Sequence, residues 1–217
     1  MKTQLSILAI LLTFAFLSCK NESSTTVQMN YQHSDKPSVV NCKGADSTLI
    51  KEVLYTFEND ITKLYDPQNN NVNRAYSSFA RVIPSGRIDY TKLVSEHTLE
   101  VYNALKTTSL WKDGGLNYEN EFFSCLGENM KDPNLKTTYN SLISSGYMSN
   151  KLFGPPLANK SSAMANDKYL ATFIALDFYF AHLEGVKPQP ELPQIEKAND
   201  GPVDFNKVPA KTIQQLN

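Results

Sequence analysis

An all-α fold of about six helices, packed as an antiparallel bundle or hairpin array and followed by an extended proline-rich C-terminal strap, is what this sequence predicts. Three observations carry the prediction. Apolar residues return at helical spacing in five stretches between positions 49 and 143. The run from 163 to 184 is apolar on nearly every side, which is the pattern of a helix buried in the middle of a domain. After Gly185 come Pro188, Pro190, Pro193, Pro202 and Pro209, five of the eleven prolines, and so many ring-locked residues exclude a regular helix there. At 217 residues and 41% hydrophobic content, the chain suits one well-buried domain rather than two.

In order, Asp46 supplies N-cap chemistry for a first helix, with Leu49, Ile50, Val53, Leu54, Phe57, Ile61 and Leu64 as its apolar stripe up to about Tyr65. Asp66-Pro67 and three successive asparagines break it. A second helix over 72–83 turns Ala75, Tyr76, Phe79, Val82 and Ile83 inward, and Pro84-Ser85-Gly86 stops it. Arg74 and Arg81 share one face, read as solvated, with anion binding as the alternative. Asp89 opens a third helix striped by Tyr90, Leu93, Val94, His97, Val101, Ala104 and Leu105, which places His97 inward.

Gly114-Gly115 turns the chain. Asn117 caps a fourth helix that aligns Tyr118, Phe122, Cys125, Leu126 and Met130, so Cys125 is expected inside. Asp132-Pro133 starts a fifth helix, ended by Gly146, with Leu135, Tyr139, Leu142 and Ile143 inward. Residues 154–162, with Gly154-Pro155-Pro156, read as the longest irregular connection, and the apolar run 163–184 is the sixth and central helix. The hairpins begin near 46, 89 and 134, so a solenoid of helical repeats is the competing architecture. In the tail, Leu192, Ile195, Val203, Phe205 and Val208 argue that part of the strap docks on the domain.

The first residues address the location. A basic Lys2 precedes an apolar core from 5 to 17, with Ser18 and Cys19 after it; this has the length of a secretion signal and not of a membrane span. The stretch Phe16-Leu17-Ser18-Cys19 resembles the lipobox of bacterial lipoproteins. That resemblance implies a signal peptide over 1–18, diacylglycerol and an acylated (palmitate-type) amine on Cys19, and a membrane partner held through the lipid. Lys20 after the cysteine implies the outer membrane, facing either the periplasm or the surface; Lys20-Asn21-Glu22 is loosely similar to short charged surface-export signals. Residues 19–44 then read as lipidated cysteine and flexible tether, with His33 solvated, 45–185 as the helical domain and 186–217 as the tail.

A formal net charge of −1 and no basic stripe argue against nucleic acid. No zinc, haem, nucleotide-phosphate or nucleophile-elbow motif is present, so neither metal nor cofactor is expected. Two features invite chemistry. Cys42 and Cys125 are a candidate disulfide in an oxidising compartment, opposed by the expected burial of Cys125. Asp177 shares the face of Phe173 and Phe180, so it needs a partner: His97, a tyrosine hydroxyl or an arginine. A protein or glycan ligand on a platform of Tyr55, Tyr102, Trp111, Tyr147 and Phe153 is a further candidate. The expected function is a non-catalytic binding or structural module of the envelope; the alternative is an envelope enzyme with a pocket around Asp177 and His97.

Overall fold

Asp46 opens the first helix because its carboxylate accepts the backbone N–H groups of Thr48 and Leu49, at 2.7 and 3.3 Å, two donors that the helix itself leaves unpaired. This helix, α1, spans Ser47–Tyr65, and α2 spans Val72–Val82, started by the Asn71 side chain. The computed structural model describes residues 29–189, with residues 162 and 163 in backbone only. The expected signal peptide, Cys19 and the tail from Pro190 onward, with its apolar residues from Leu192, therefore lie outside the described residues. The order continues with a short 3-10 turn over Ile83–Ser85 and another over Tyr90–Lys92, then α3 over Glu96–Lys106, α4 over Glu121–Asn129, α5 over Pro133–Ser145, α6 over Asn150–Asn159, α7 over Ser161–Met164, and α8 over Lys168–Phe178. Strands β1, Trp111–Lys112, and β2, Gly115–Leu116, form a two-residue antiparallel hairpin, the sole sheet among the described residues, so the fold is all-α.

Helix α8 is the centre. Every residue from 170 to 178 is buried, and the helix packs on α1 and α4. Because α1 also contacts α2 and α3, the first and last helices share one core and the array closes into a bundle. In a solenoid each unit would touch only its neighbours. The central helix is shorter than the 22 residues read from apolarity. Asp167 caps it by accepting from Tyr169 and Leu170 N–H, and Tyr179, at φ −126° and ψ −73°, ends it before a 3-10 turn over Phe180–His182. Apolarity reports burial, and here a buried non-helical turn carries the same signal.

Helix α3 begins at Glu96, seven residues after Asp89. Ser95 and Thr98 form a reciprocal capping box, whereas the Asp89 carboxylate accepts from Thr91 Oγ1 and makes no backbone cap. With that start, Thr98 faces the core and His97 lies at its edge, with 10% of its side chain exposed. Helix α4 is likewise capped by Asn120 and not Asn117, since Asp113 and Gly114, at φ 51° and 84°, make the left-handed pair of a hairpin turn ahead of it. Apart from a turn at Lys160, residues 154–162 are helical despite Pro155 and Pro156. Phe153 and Leu157 are fully buried on α6, which packs on the Ile83–Ser85 turn, and this packing outweighs the loss of two helical N–H donors.

The segment before the domain is docked from residue 29 onward. Val39 and Val40 are buried, and Lys51 Nζ donates to Ser34 O at 2.7 Å. Cys42 is bonded to Cys125 with the Cα atoms 5.8 Å apart, joining this segment to α4. Both cysteines are half-buried, so Cys125 sits on the rim of the core and not inside it. By loop-closure entropy, a bridge across 83 residues of separation is worth about 4.5 kcal/mol.

Helix α4 crosses α5 so closely that a Cβ on Gly127 would come within 2.6 Å of the Tyr139 ring, which is fully buried and donates its hydroxyl to Phe123 O at 2.9 Å. Gly127→Ala should gain about 1 kcal/mol of helix propensity but lose more through overpacking, roughly 1–3 kcal/mol. The expected net result in urea unfolding is a destabilised variant, and an unchanged or raised midpoint would show that α4 and α5 separate freely.

A candidate polar cleft between α1 and α3

Three polar residues follow one another at four-residue spacing along α1: Glu52, Thr56 and Asp60. They lie on one face of the helix and all are at most 1% exposed. They run beside the apolar stripe of Leu49, Val53 and Phe57, so the packing that buries the stripe also buries them.

Each acid has acquired donors. The Glu52 carboxylate accepts Gln32 N–H at 2.7 Å and His33 N–H at 2.9 Å, which holds the N-terminal segment on α1. It also takes His97 Nε2 at 2.7 Å; a carboxylate only accepts, so that nitrogen carries the proton. The His97 Nδ1 faces Glu100 Oε2 at 3.3 Å. His33, half-buried and 6.3 Å from the His97 ring centre, has its pKa pushed down by burial, with Glu52 opposing that shift.

Asp60 is held by one oxygen. Its Oδ2 accepts from Thr98 Oγ1 at 2.5 Å and from Tyr179 OH at 2.7 Å, while Oδ1 makes no hydrogen bond among the described residues. Since the Thr98 proton goes to Asp60, Ser95 Oγ donates in turn to Thr98 Oγ1 at 2.7 Å, and the three groups form a chain. Burial lifts the Asp60 pKa to about 6, with the two hydroxyl donors pulling it down. Thr56 differs again: its hydroxyl is buried and has no hydrogen-bond partner among the described residues.

Of these residues Gln32, Thr56, Asp60, Ser95 and His97 line a cleft of about 980 Å³ between α1 and the approach to α3, with Asn59, Lys63 and Glu96 also on its wall, while Glu52 lies behind it. Gln189, at the start of the tail, closes one side by donating its N–H to Thr91 O at 3.1 Å. One buried acid, one unpaired hydroxyl and exposed charges of both signs make a wall suited to a small polar ligand.

His97 and Asp177, read from sequence as one pocket, do not meet. His97 lines this cleft, while Asp177 lines a second cleft and accepts the Tyr118 hydroxyl. Helix periodicity places a residue on a face but does not say which face it meets. Arg74 and Arg81 do share one shallow site, where Arg74 pairs with Asp66 at 3.8 Å. The five candidate platform aromatics are dispersed by burial: Tyr102 and Phe153 are buried, Tyr55 and Trp111 half-buried, and Tyr147 is exposed. Among the described residues no three metal-ligating side chains converge, and no helix is long and apolar enough to cross a membrane.

The stripe on α1 was legible in principle, since Glu52, Thr56 and Asp60 occupy the helix face adjoining the apolar one. Charged residues beside an apolar stripe usually face solvent, and that expectation hid them.

The raised pKa of Asp60 fixes a sign for stability. The unfolded value is about 3.9, so the folded state binds the proton more tightly; the associated stability is full below about pH 4 and is lost as pH rises through about 6. Asp60→Asn still accepts from Thr98 and Tyr179 but does not ionise. Relative to wild type it should gain roughly 2–3 kcal/mol in unfolding free energy between about pH 4 and about pH 7. A pH-independent difference would show that Asp60 titrates normally. Comparison with family models, with curated proteins and with solved structures found no match to this chain.

Proposed function

We propose that this is a lipid-anchored protein of the bacterial cell envelope, attached to the outer membrane through Cys19, whose helical domain is a non-catalytic binding module for a small polar ligand. The observation that carries the binding role is the cleft wall on α1, where, among the described residues, the Thr56 hydroxyl has no partner and one Asp60 oxygen is not engaged. Leaving a buried hydroxyl unpaired costs about 1–3 kcal/mol, which a wall built for stability alone would avoid. Binding is favoured over catalysis because Asp60 and His97 are not hydrogen-bonded to one another; each is held by other groups, His97 by Glu52 and Glu100, Asp60 by Thr98 and Tyr179. The envelope location is supported by the apolar leader with its lipobox-like end and by the Cys42–Cys125 bridge, since disulfides persist in oxidising compartments.

Two measurements test the proposal. Cys19→Ala should abolish incorporation of labelled palmitate and move the protein out of the membrane fraction; labelling that persists would remove the anchor. Thr56→Val keeps the shape and deletes the unpaired hydroxyl, so it should raise stability by about 1 kcal/mol. The same variant should weaken whichever of a set of amino acids, tripeptides and disaccharides shifts the amide resonances of residues 56–60. A Thr56→Val protein that is less stable, with no ligand in the set moving those resonances, would overturn the assignment.

A further inference from the structure

The second cleft, of about 500 Å³, is built from a different part of the fold: Pro84, Ser85 and Gly86 after α2, residues 148–151 entering α6, and Asp177, Ala181 and His182 at the end of α8. Among the described residues Asp177 is the only carboxylate on its wall, and at 8% exposed it is reached by the cleft. Its Oδ1 takes the Tyr118 hydroxyl, and Oδ2 makes no hydrogen bond among the described residues.

The groups around it leave the charge unmatched. Tyr90 donates its hydroxyl to Phe178 O at 2.9 Å, and Tyr139 donates to Phe123 O, so neither is free to turn toward Asp177. His182, exposed on one side, stacks on the Tyr90 ring at 5.4 Å, and desolvation on the packed side pushes its pKa down. Lys151 is exposed on the lining segment and forms no ion pair with Asp177. Burial lifts the Asp177 carboxyl to about 6, yet at neutral pH it is mainly ionised. The rest of the wall is largely apolar, with Met148, Pro84 and Ala181, and Tyr147 and Leu152 on either side of the lining segment are exposed large apolar side chains, at 70% and 51%.

We propose that this cleft binds a small organic ammonium compound, a primary or secondary amine on an apolar body, with the ammonium group on Asp177 and the body against Met148, Pro84 and Ala181. The chemistry selects that class. One carboxylate cannot supply the several oxygens a bare divalent cation takes, an anion would meet like charge, and a neutral apolar molecule would leave the acid buried and unpaired. The volume lies within the roughly 300–1,000 Å³ of small-molecule sites.

The test is calorimetric titration of the full chain in detergent with phenethylammonium, compared with phenethyl alcohol, its uncharged analogue. Saturable binding at about pH 7.5 with Kd near 1 mM or tighter is expected, and at least tenfold weaker binding of the alcohol. Affinity should fall as pH drops through about 6, where Asp177 takes up a proton. Asp177→Asn, which keeps an acceptor for Tyr118, should remove the preference for the amine, and the same micelles in that sample cancel any partition into detergent. Ala181→Leu fills the cleft without touching the acid and should abolish binding, whereas Lys151→Ala should preserve or strengthen it. Equal affinity for amine and alcohol, undiminished binding by Asp177→Asn, or no saturation up to about 10 mM would each overturn the proposal.

Discussion

The burial of Asp60 is the constraint on which the arrangement of the three main elements depends. A carboxylate this deep in an apolar core must be given donors or a proton, at a cost otherwise of several kcal/mol. Its two donors come from separate parts of the chain: Thr98 on α3, and Tyr179 just past the end of α8. Meeting both demands fixes α3 against α1 and requires α8 to stop where it does, because Tyr179 is drawn out of helical geometry with its hydroxyl on Asp60. Phe57, one turn before Ile61, then packs its ring on Tyr179 at 5.3 Å, so the polar contact and the apolar core are set by the same crossing. Glu52 repeats the device two turns earlier, with its donors drawn from α3 and from the segment ahead of α1.

Replacing such buried polar groups with apolar ones of similar volume is often neutral or stabilising. Glu52 and Asp60 on this face of α1 fix how the elements dock, but the Thr56 hydroxyl between them, unsatisfied among the described residues, has no part in that role. Under the proposed binding role that group would have a use, because sites are commonly less stable than the packing they displace. The same reasoning separates the stripe from Asp132 or Asp167, whose oxygens are engaged with the N–H groups of α5 and α8 and need no ligand to account for them.

How far the sequence could be read follows from which signals are local. Helices α1, α2 and α5 lie where their caps, stripes and breakers place them, since Asp46, Asn71 and Asp132 act on N–H groups two or three residues away. Helix α6 was hidden because its prolines speak against a helix locally, while the packing of Phe153 and Leu157 that overrides them is tertiary. The hairpin at 111–116 is too short for any period to register, although Asp113-Gly114 carries its turn chemistry. Asp177 was recognisable as a buried acid in need of a partner, and a tyrosine hydroxyl was among the partners its position allowed. Its separation from His97 was not recognisable, because it depends on where α3 starts, and the Ser95–Thr98 box sets that start against the more conspicuous Asp89.

The docked N-terminal segment bears on where the first cleft stands under the proposed anchoring. If the chain began as a fully free tether through residue 44, the domain would range widely over the membrane. Instead, Gln32 and His33 are clamped by Glu52, and Cys42 is bonded to α4, so the docked part of the chain reaches back to residue 29. Between Cys19 and that point lie residues 20–28, across which the chain spans at most roughly 35 Å even when fully extended. Gln32 is itself on the wall of the α1/α3 cleft. An anchor at Cys19 would therefore hold that cleft close to the lipid surface, where its local concentration of membrane-released or membrane-bound polar compounds is set by a short leash and not by free diffusion of the domain.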